Sequence, residues 1–207
     1  MVIVVRVVTA DMAGLVVAAK VVDEGGIIGY PTDTVYGLGC NPFNERAVQN
    51  VIKAKGSRRK PLPVLAKTVG DAEKVVDFSE AAIKLAKHYW PGPLTIVLRA
   101  RDTVPALLAP EKTIGVRAPN HPICLSLLGL CSGLLVGTSA NKSSAPAATT
   151  ASEVIAELGD QIDLVIDGGK TTLGFASTVV DARRNIVVIR EGPISKQELL
   201  ECLRGPR

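Results

Sequence analysis

The stretch IGVRAPNHPICLSLLGLCSGLLVGTSAN, residues 114–141, decides the fold. From Ala118 to Asn141 it holds no Lys, Arg, Asp or Glu, and so it imitates a membrane span. A span needs about 20 predominantly apolar residues in one helix, and this one is interrupted by Pro119, Pro122, Gly129, Gly133, Gly137 and several serines. It reads instead as a strand over 114–118, a buried helix over 122–130 and a buried strand over 134–137. Strand, helix and strand in succession point to an α/β domain and to no membrane.

The flanking chain continues the pattern. Val2 to Val8 is a β-branched run that predicts a strand, and residues 12–23 carry apolar side chains at helical spacing until Gly25-Gly26 ends them. A buried strand over 27–31 feeds the polar loop Thr32-Asp33-Thr34, and loops at strand ends are where sites form. Asn44 and Ser79 are helix-starting residues, predicting helices to about 54 and to just before Trp90. Strands are expected at 62–66, 94–99, 164–166, 177–181 and 186–190, with helices at 152–158 and 195–203. The expectation is one domain over 1–207, a single mixed sheet flanked by helices. The segment Lys142 to Thr150, rich in Ser, Ala and Thr, reads either as a mobile loop over the site or as a passive surface loop.

Composition narrows the function. The 207 residues are 47% apolar and 3% aromatic, with 24 Lys and Arg against 20 Asp and Glu. Disorder, collagen and repeat arrays are excluded, and too few rings are present for a surface that stacks nucleic-acid bases. Cys40, Cys124, Cys131 and Cys202 form no C-x-x-C pair, so no metal site is expected. Arg6 interrupts the apolar N-terminus and no basic segment precedes it, which argues against a signal peptide and for the cytoplasm.

Familiar nucleotide motifs fail on inspection. Gly168-Gly169-Lys170-Thr171 resembles the end of a P-loop, yet Leu164 stands where the first Gly is required. Gly37-x-Gly39 has Pro42 in place of the third Gly of a dinucleotide fingerprint. Ser139-Ala140-Asn141-Lys142 spells S-x-x-K, without the partner motifs of a serine acyl-enzyme. His88 reads as a helix-end residue and His121 as a turn or helix-start residue.

What survives is charge placed at strand ends. Five of the eight residues from Lys53 to Lys60 are cationic. A solvated face that complements a helix C-terminus explains such a run, and so does an anion site. Arg117 and Arg190 end two strands, and strand ends of one α/β sheet can converge on a common edge. Thr32, Thr34, Thr113, Ser139, Asn141 and Ser177 offer uncharged donors at neighbouring strand ends.

Six motifs appear in order: Pro31-Thr32-Asp33-Thr34-Val35-Tyr36-Gly37-Leu38-Gly39, Trp90-Pro91-Gly92-Pro93-Leu94-Thr95, Gly115-Val116-Arg117-Ala118-Pro119, Thr138-Ser139-Ala140-Asn141, Ser177-Thr178-Val179-Val180-Asp181 and Arg190-Glu191-Gly192. Together, from about Gly25 to Ile194, they resemble the YrdC/YciO family, in its single-domain form. The resemblance implies a twisted mixed sheet with a basic concave face. It also implies a threonylcarbamoyl-AMP synthase, a nucleotidyltransferase that joins L-threonine, bicarbonate and ATP for modification of the tRNA adenosine next to the anticodon. By position, Thr34, Arg117 and Ser177 match threonine-binding residues, with Thr32 close by. Lys60, Thr113, Ser139, Asn141 and Arg190 match ATP-binding residues. The family's K-x-R element departs here: the run Lys55-Gly56-Ser57-Arg58-Arg59-Lys60-Pro61-Leu62 is one residue shorter, so Lys55 keeps its catalytic place and Arg58 substitutes for the missing Arg.

All the implied reactants are anionic, which is why several cations are required and why planar Arg suits both carboxylate and phosphate. Mg2+ is expected on the nucleotide phosphates without a protein ligand. Implied partners are tRNA and the proteins of the threonylcarbamoyl-transfer machinery. A YciO-like paralogue of different substrate, a carbamoyl-transfer component, and a module that only binds double-stranded RNA or tRNA are the alternatives. Arg117→Ala is expected to abolish adenylate formation and leave the fold intact.

Overall fold

The computed structural model describes residues 5–56, 61–143 and 145–204. Its elements, in chain order, are β1 (Arg6–Thr9), α1 (Met12–Asp23), β2 (Ile28–Tyr30), β3 (Gly37–Gly39), α2 (Glu45–Lys55), β4 (Val64–Ala66), α3 (Val69–Ala72), β5 (Val76–Asp77), α4 (Glu80–Tyr89), β6 (Leu94–Ala100), β7 (Thr113–Arg117), α5 (Pro122–Leu130), β8 (Leu134–Val136), β9 (Thr138–Ser139), α6 (Ala151–Leu158), β10 (Leu164–Asp167), β11 (Thr178–Asp181), β12 (Val187–Arg190) and α7 (Lys196–Arg204).

Local chemistry sets the helix starts. The side chains of Asp11, Asn44 and Ser79 accept hydrogen bonds from the N–H groups of Gly14, Ala47 and Ala82, satisfying donors that the first turn cannot pair. Thr150 and Glu153 form a reciprocal capping box on α6. Pro122 opens α5, where its missing N–H costs nothing.

The expected single sheet is divided in two. One sheet runs β1-β10-β2-β3-β9 and the other β12-β11-β6-β7-β4-β8, with β5 paired to β6. Both mix parallel and antiparallel neighbours. The chain crosses between them at Gly137, with β8 in the larger sheet and β9 in the smaller. A Cβ at Gly137 would run into the Leu65 side chain, so only glycine lets the strand change sheets at this spot. Strands of two or three residues such as β3, β5 and β9 carry too short an apolar pattern to register in the sequence.

Two apolar clusters hold the layers together. α1 and α5 pack Leu15, Ala18, Val22, Leu127 and Leu128 against Ile28, Leu164 and Ile166 of the smaller sheet. The larger cluster joins α2 and α4 to one face of the larger sheet through Val48, Val51, Leu85, Ile96, Leu98, Ile114 and Val116, and includes Val154 of α6, which packs on β10 and β2 of the smaller sheet. The uncharged stretch 118–141 is thus the buried helix and strand that the sequence indicated. Among the described residues no helix is long and apolar enough to cross a membrane.

Candidate active site

The other face of the larger sheet is open. Because strand side chains alternate, Ile114 and Val116 enter the core while Thr113, Gly115 and Arg117 line a cleft of about 550 Å³. Thr95 and Val97 on β6, and Val179 and Asp181 on β11, face the same space. The loop after β2 and Ser139 of β9 close it from the smaller sheet. β7 and β12 run opposite to β6 and β11, so the ends of the first pair and the starts of the second share an edge. That edge collects Arg117, Arg190, Thr95 and Ser177, the convergence the sequence suggested.

Arg117 is 5% exposed and is gripped from three directions. Its Nε donates to the Gly92 carbonyl at 2.9 Å, its Nη1 to Thr34 Oγ1 at 2.9 Å, and its Nη2 forms an ion pair with Asp33 Oδ1. Gly92 is available because the turn from Trp90 to Pro93 folds tightly over Tyr89, whose carbonyl would collide with any Cβ there. Thr32 Oγ1 donates to the Val35 carbonyl at 2.7 Å, so in its 3.0 Å contact with Thr34 the proton belongs to Thr34. A directed chain therefore runs from Arg117 through Thr34 and Thr32 to the backbone, each bond polarising the next.

Arg190 is held differently. Its Nε and Nη2 donate to the Ser177 carbonyl at 3.1 and 2.8 Å, and no carboxylate lies within ion-pair distance among the described residues. Burial and then the nearby charge of Arg117 push its guanidinium below the ordinary arginine value, so the two cations feel one another. Ser177 Oγ shares a proton with Thr95 Oγ1 at 2.8 Å. Farther along, Arg183 pairs with Asp181, and Glu111 completes the charged lining. Thr113 lies four residues from Arg117 along β7, roughly 13 Å by strand rise.

Of the residues expected from sequence, Thr32, Thr34, Thr113, Arg117, Ser139, Ser177 and Arg190 line this one cleft. Lys55 and Asn141 stand behind its wall. Lys55 is 2% exposed, and its Nζ donates to the carbonyls of Ser139 and Asn141, both at 2.5 Å, and to Asn141 Oδ1 at 3.2 Å. Asn141 Nδ2 in turn donates to the Ala145 carbonyl at 2.6 Å, and Tyr36 N–H to that of Ala148 at 2.8 Å, anchoring the segment read either as a mobile loop over the site or as a passive surface loop. Arg58 and Lys60 lie outside the described residues, as does Arg59. His88 sits in the last turn of α4 and His121 at the start of α5.

Sequence reasoning missed Asp33 and Thr95. Both lie inside the motifs Pro31–Gly39 and Trp90–Thr95, and the strand period places Thr95 on the face that Val97 shares with the cleft. Asp33 also corrects the expectation that losing Arg117 leaves the fold intact, because its side chain is 9% exposed and would remain as a buried, uncompensated charge.

The architecture and lining define a class: an α/β protein with a cleft between two mixed sheets, lined by arginines and hydroxyls. A model of the Sua5/YciO/YrdC family, described as telomere recombination, matches residues 20–192, and the chain belongs to this family. It is 37% identical over 187 residues to the threonylcarbamoyl-AMP synthase of Pyrococcus abyssi, covering 88% of this chain and 55% of that protein's length. The crystal structure of P. abyssi Sua5 complexed with L-threonine superposes with a TM-score of 0.89 at 34% identity, over 98% of this chain and 61% of that one. The crystal structure of E. coli YciO superposes with a TM-score of 0.84 at 27% identity, over 94% and 98% of the two chains.

Proposed function

We propose that this chain makes threonylcarbamoyl-adenylate and pyrophosphate from L-threonine, bicarbonate and ATP. The observation that carries the reading is the meeting of Arg117 and Arg190 at one edge of the cleft, with the hydroxyls of Thr32, Thr34 and Ser177 beside them. A relative of the same fold is described with L-threonine bound, and a curated relative is named for this synthesis, which support it.

Three of the five N–H donors of Arg117 go to Gly92, Thr34 and Asp33, which leaves two for a ligand carboxylate. In this reading Arg117, Thr34, Thr32 and Ser177 hold threonine. Arg190, Thr113 and Ser139, with Arg58 and Lys60, hold ATP, and Asn141 supports them from behind the wall of the cleft. Lys55 acts through the turn it binds, keeping Ser139 and Asn141 in place. The deprotonated threonine amine and bicarbonate give a carbamate and water. A carbamate oxygen then bonds to the α-phosphorus as the bond to the β-phosphate's bridging oxygen breaks, and pyrophosphate leaves with that electron pair. The nucleophile is already anionic, so orientation and cationic stabilisation carry the catalysis and no strong base is required.

Glu111 and Asp181 are the carboxylates lining the cleft among the described residues, and Arg183 occupies both oxygens of Asp181. That donor set suits Mg2+ carried on the triphosphate and water, where it would neutralise phosphate charge. We place the reaction in the cytoplasm; all four cysteines are free thiols. The product is an activated acyl donor, to be consumed by the tRNA-modifying machinery.

A second reading, a YciO-like paralogue acting on another substrate, draws on the E. coli YciO match. Mass spectrometry of the products separates the two. The synthase reading expects threonylcarbamoyl-adenylate only when L-threonine, bicarbonate and ATP are all supplied. An adenylate formed with a different acid and none with threonine would favour the paralogue. Salt-sensitive RNA binding without any adenylate would make the chain a binding module.

A further inference from the structure

Asp33 is the carboxylate on Arg117, and no step of the proposed reaction uses it. One oxygen accepts from Arg117 Nη2, while Oδ2 is buried without a hydrogen-bond partner among the described residues. A pair built for stability would fill those lone pairs, since a buried carboxylate recovers its lost hydration only through good contacts. The loop that carries it is nevertheless held firmly. Leu173 and Gly174 donate their N–H groups to the carbonyls of Asp33 and Thr34 at 3.0 and 2.9 Å. The carboxylate thus sits on a clamped backbone, and its one side-chain hydrogen bond among the described residues is to the guanidinium.

We propose that Asp33 is a positioning residue that acts through Arg117. With Gly92 and Thr34 it fixes the guanidinium plane, and so sets where the two remaining N–H groups, one on each Nη, are presented. It also offsets the charge of Arg117, which Arg190 lacks. The two arginines are thereby given different ligands. A neutralised, directional fork favours a planar carboxylate, whereas an uncompensated guanidinium favours a polyphosphate. Asp33 would therefore keep phosphate out of the amino-acid subsite. This rests on the reading of Arg117 as the amino-acid anchor.

The test uses Asp33→Asn, which keeps the shape and an acceptor oxygen and removes the charge, beside Asp33→Glu. In 15N-arginine-labelled protein, the Nη–H signals of Arg117, identified by their loss in Arg117→Lys, should be sharp in the parent and broadened or lost in Asp33→Asn. L-threonine affinity, by calorimetry, should fall roughly tenfold in Asp33→Asn, with ATP affinity unchanged or tighter and ATP now competing with threonine. Asp33→Glu should restore part of the threonine affinity. Unchanged Nη–H signals in Asp33→Asn would overturn the proposal, as would equal losses of threonine and ATP affinity. If the parent binds no L-threonine while the Nη–H signals still respond, the proposed substrate fails and the positioning role stands.

Discussion

Two arginines meet at one edge of the same cleft and are built into the protein in opposite ways. Arg117, at the end of β7, is buried with a carboxylate, a hydroxyl and a carbonyl as partners. Arg190, at the end of β12, leans on the Ser177 carbonyl and meets no carboxylate among the described residues. The first is a fixed element of structure whose loss strands a buried charge. The second keeps its charge available, at the expense of partial burial beside another cation. Like charges are tolerated side by side because one of them has been neutralised from behind.

The comparison can be broken by mutation. Arg117→Ala should lower threonine-dependent pyrophosphate release by on the order of 10²–10³-fold. It should also destabilise the fold by about 3–5 kcal/mol, because Asp33 is left buried and unpaired. Urea unfolding reads the second effect. Replacing both partners, Arg117→Met with Asp33→Leu, should recover most of that stability and none of the activity, since an apolar pair carries no desolvation penalty. If the double variant is as unstable as the single one, the ion pair is not the cause. Arg190→Ala should change stability by under about 1 kcal/mol, as for other partly exposed charges, while weakening ATP affinity in a manner that added salt masks.

The smallest effect concerns His121, near Asp33. Burial lowers its pKa from the usual value, and the Asp33 charge opposes the shift only in part. The unfolded chain therefore takes up the proton first, and stability present at pH 7 is lost as pH falls through the window below 6.5. His121→Gln should flatten that part of the stability profile, measured by urea unfolding at pH 7 and pH 5.

Much of this was legible beforehand. The bounds of α1 and α5 follow from apolar spacing closed by Gly25-Gly26 in one case and opened by Pro122 in the other. Arg117 and Arg190 could be placed on a shared edge because both end strands. The division into two sheets could not, since it depends on Gly137 permitting a close approach to Leu65, a contact 72 positions away in the chain. Asp33 was hidden for a related reason: a carboxylate between two threonines in a loop has no periodicity, and its partner arrives from another sheet. The burial of Lys55 was unexpected too, because a basic run gives no sign that one of its members turns inward to bind carbonyls.

The most direct measurement is calorimetric titration of L-threonine into the parent protein, Arg117→Ala and Arg190→Ala. The account predicts binding to the parent, none detectable to Arg117→Ala, and near-parental affinity for Arg190→Ala. Parental threonine affinity in Arg117→Ala, or its loss in Arg190→Ala alone, would contradict it.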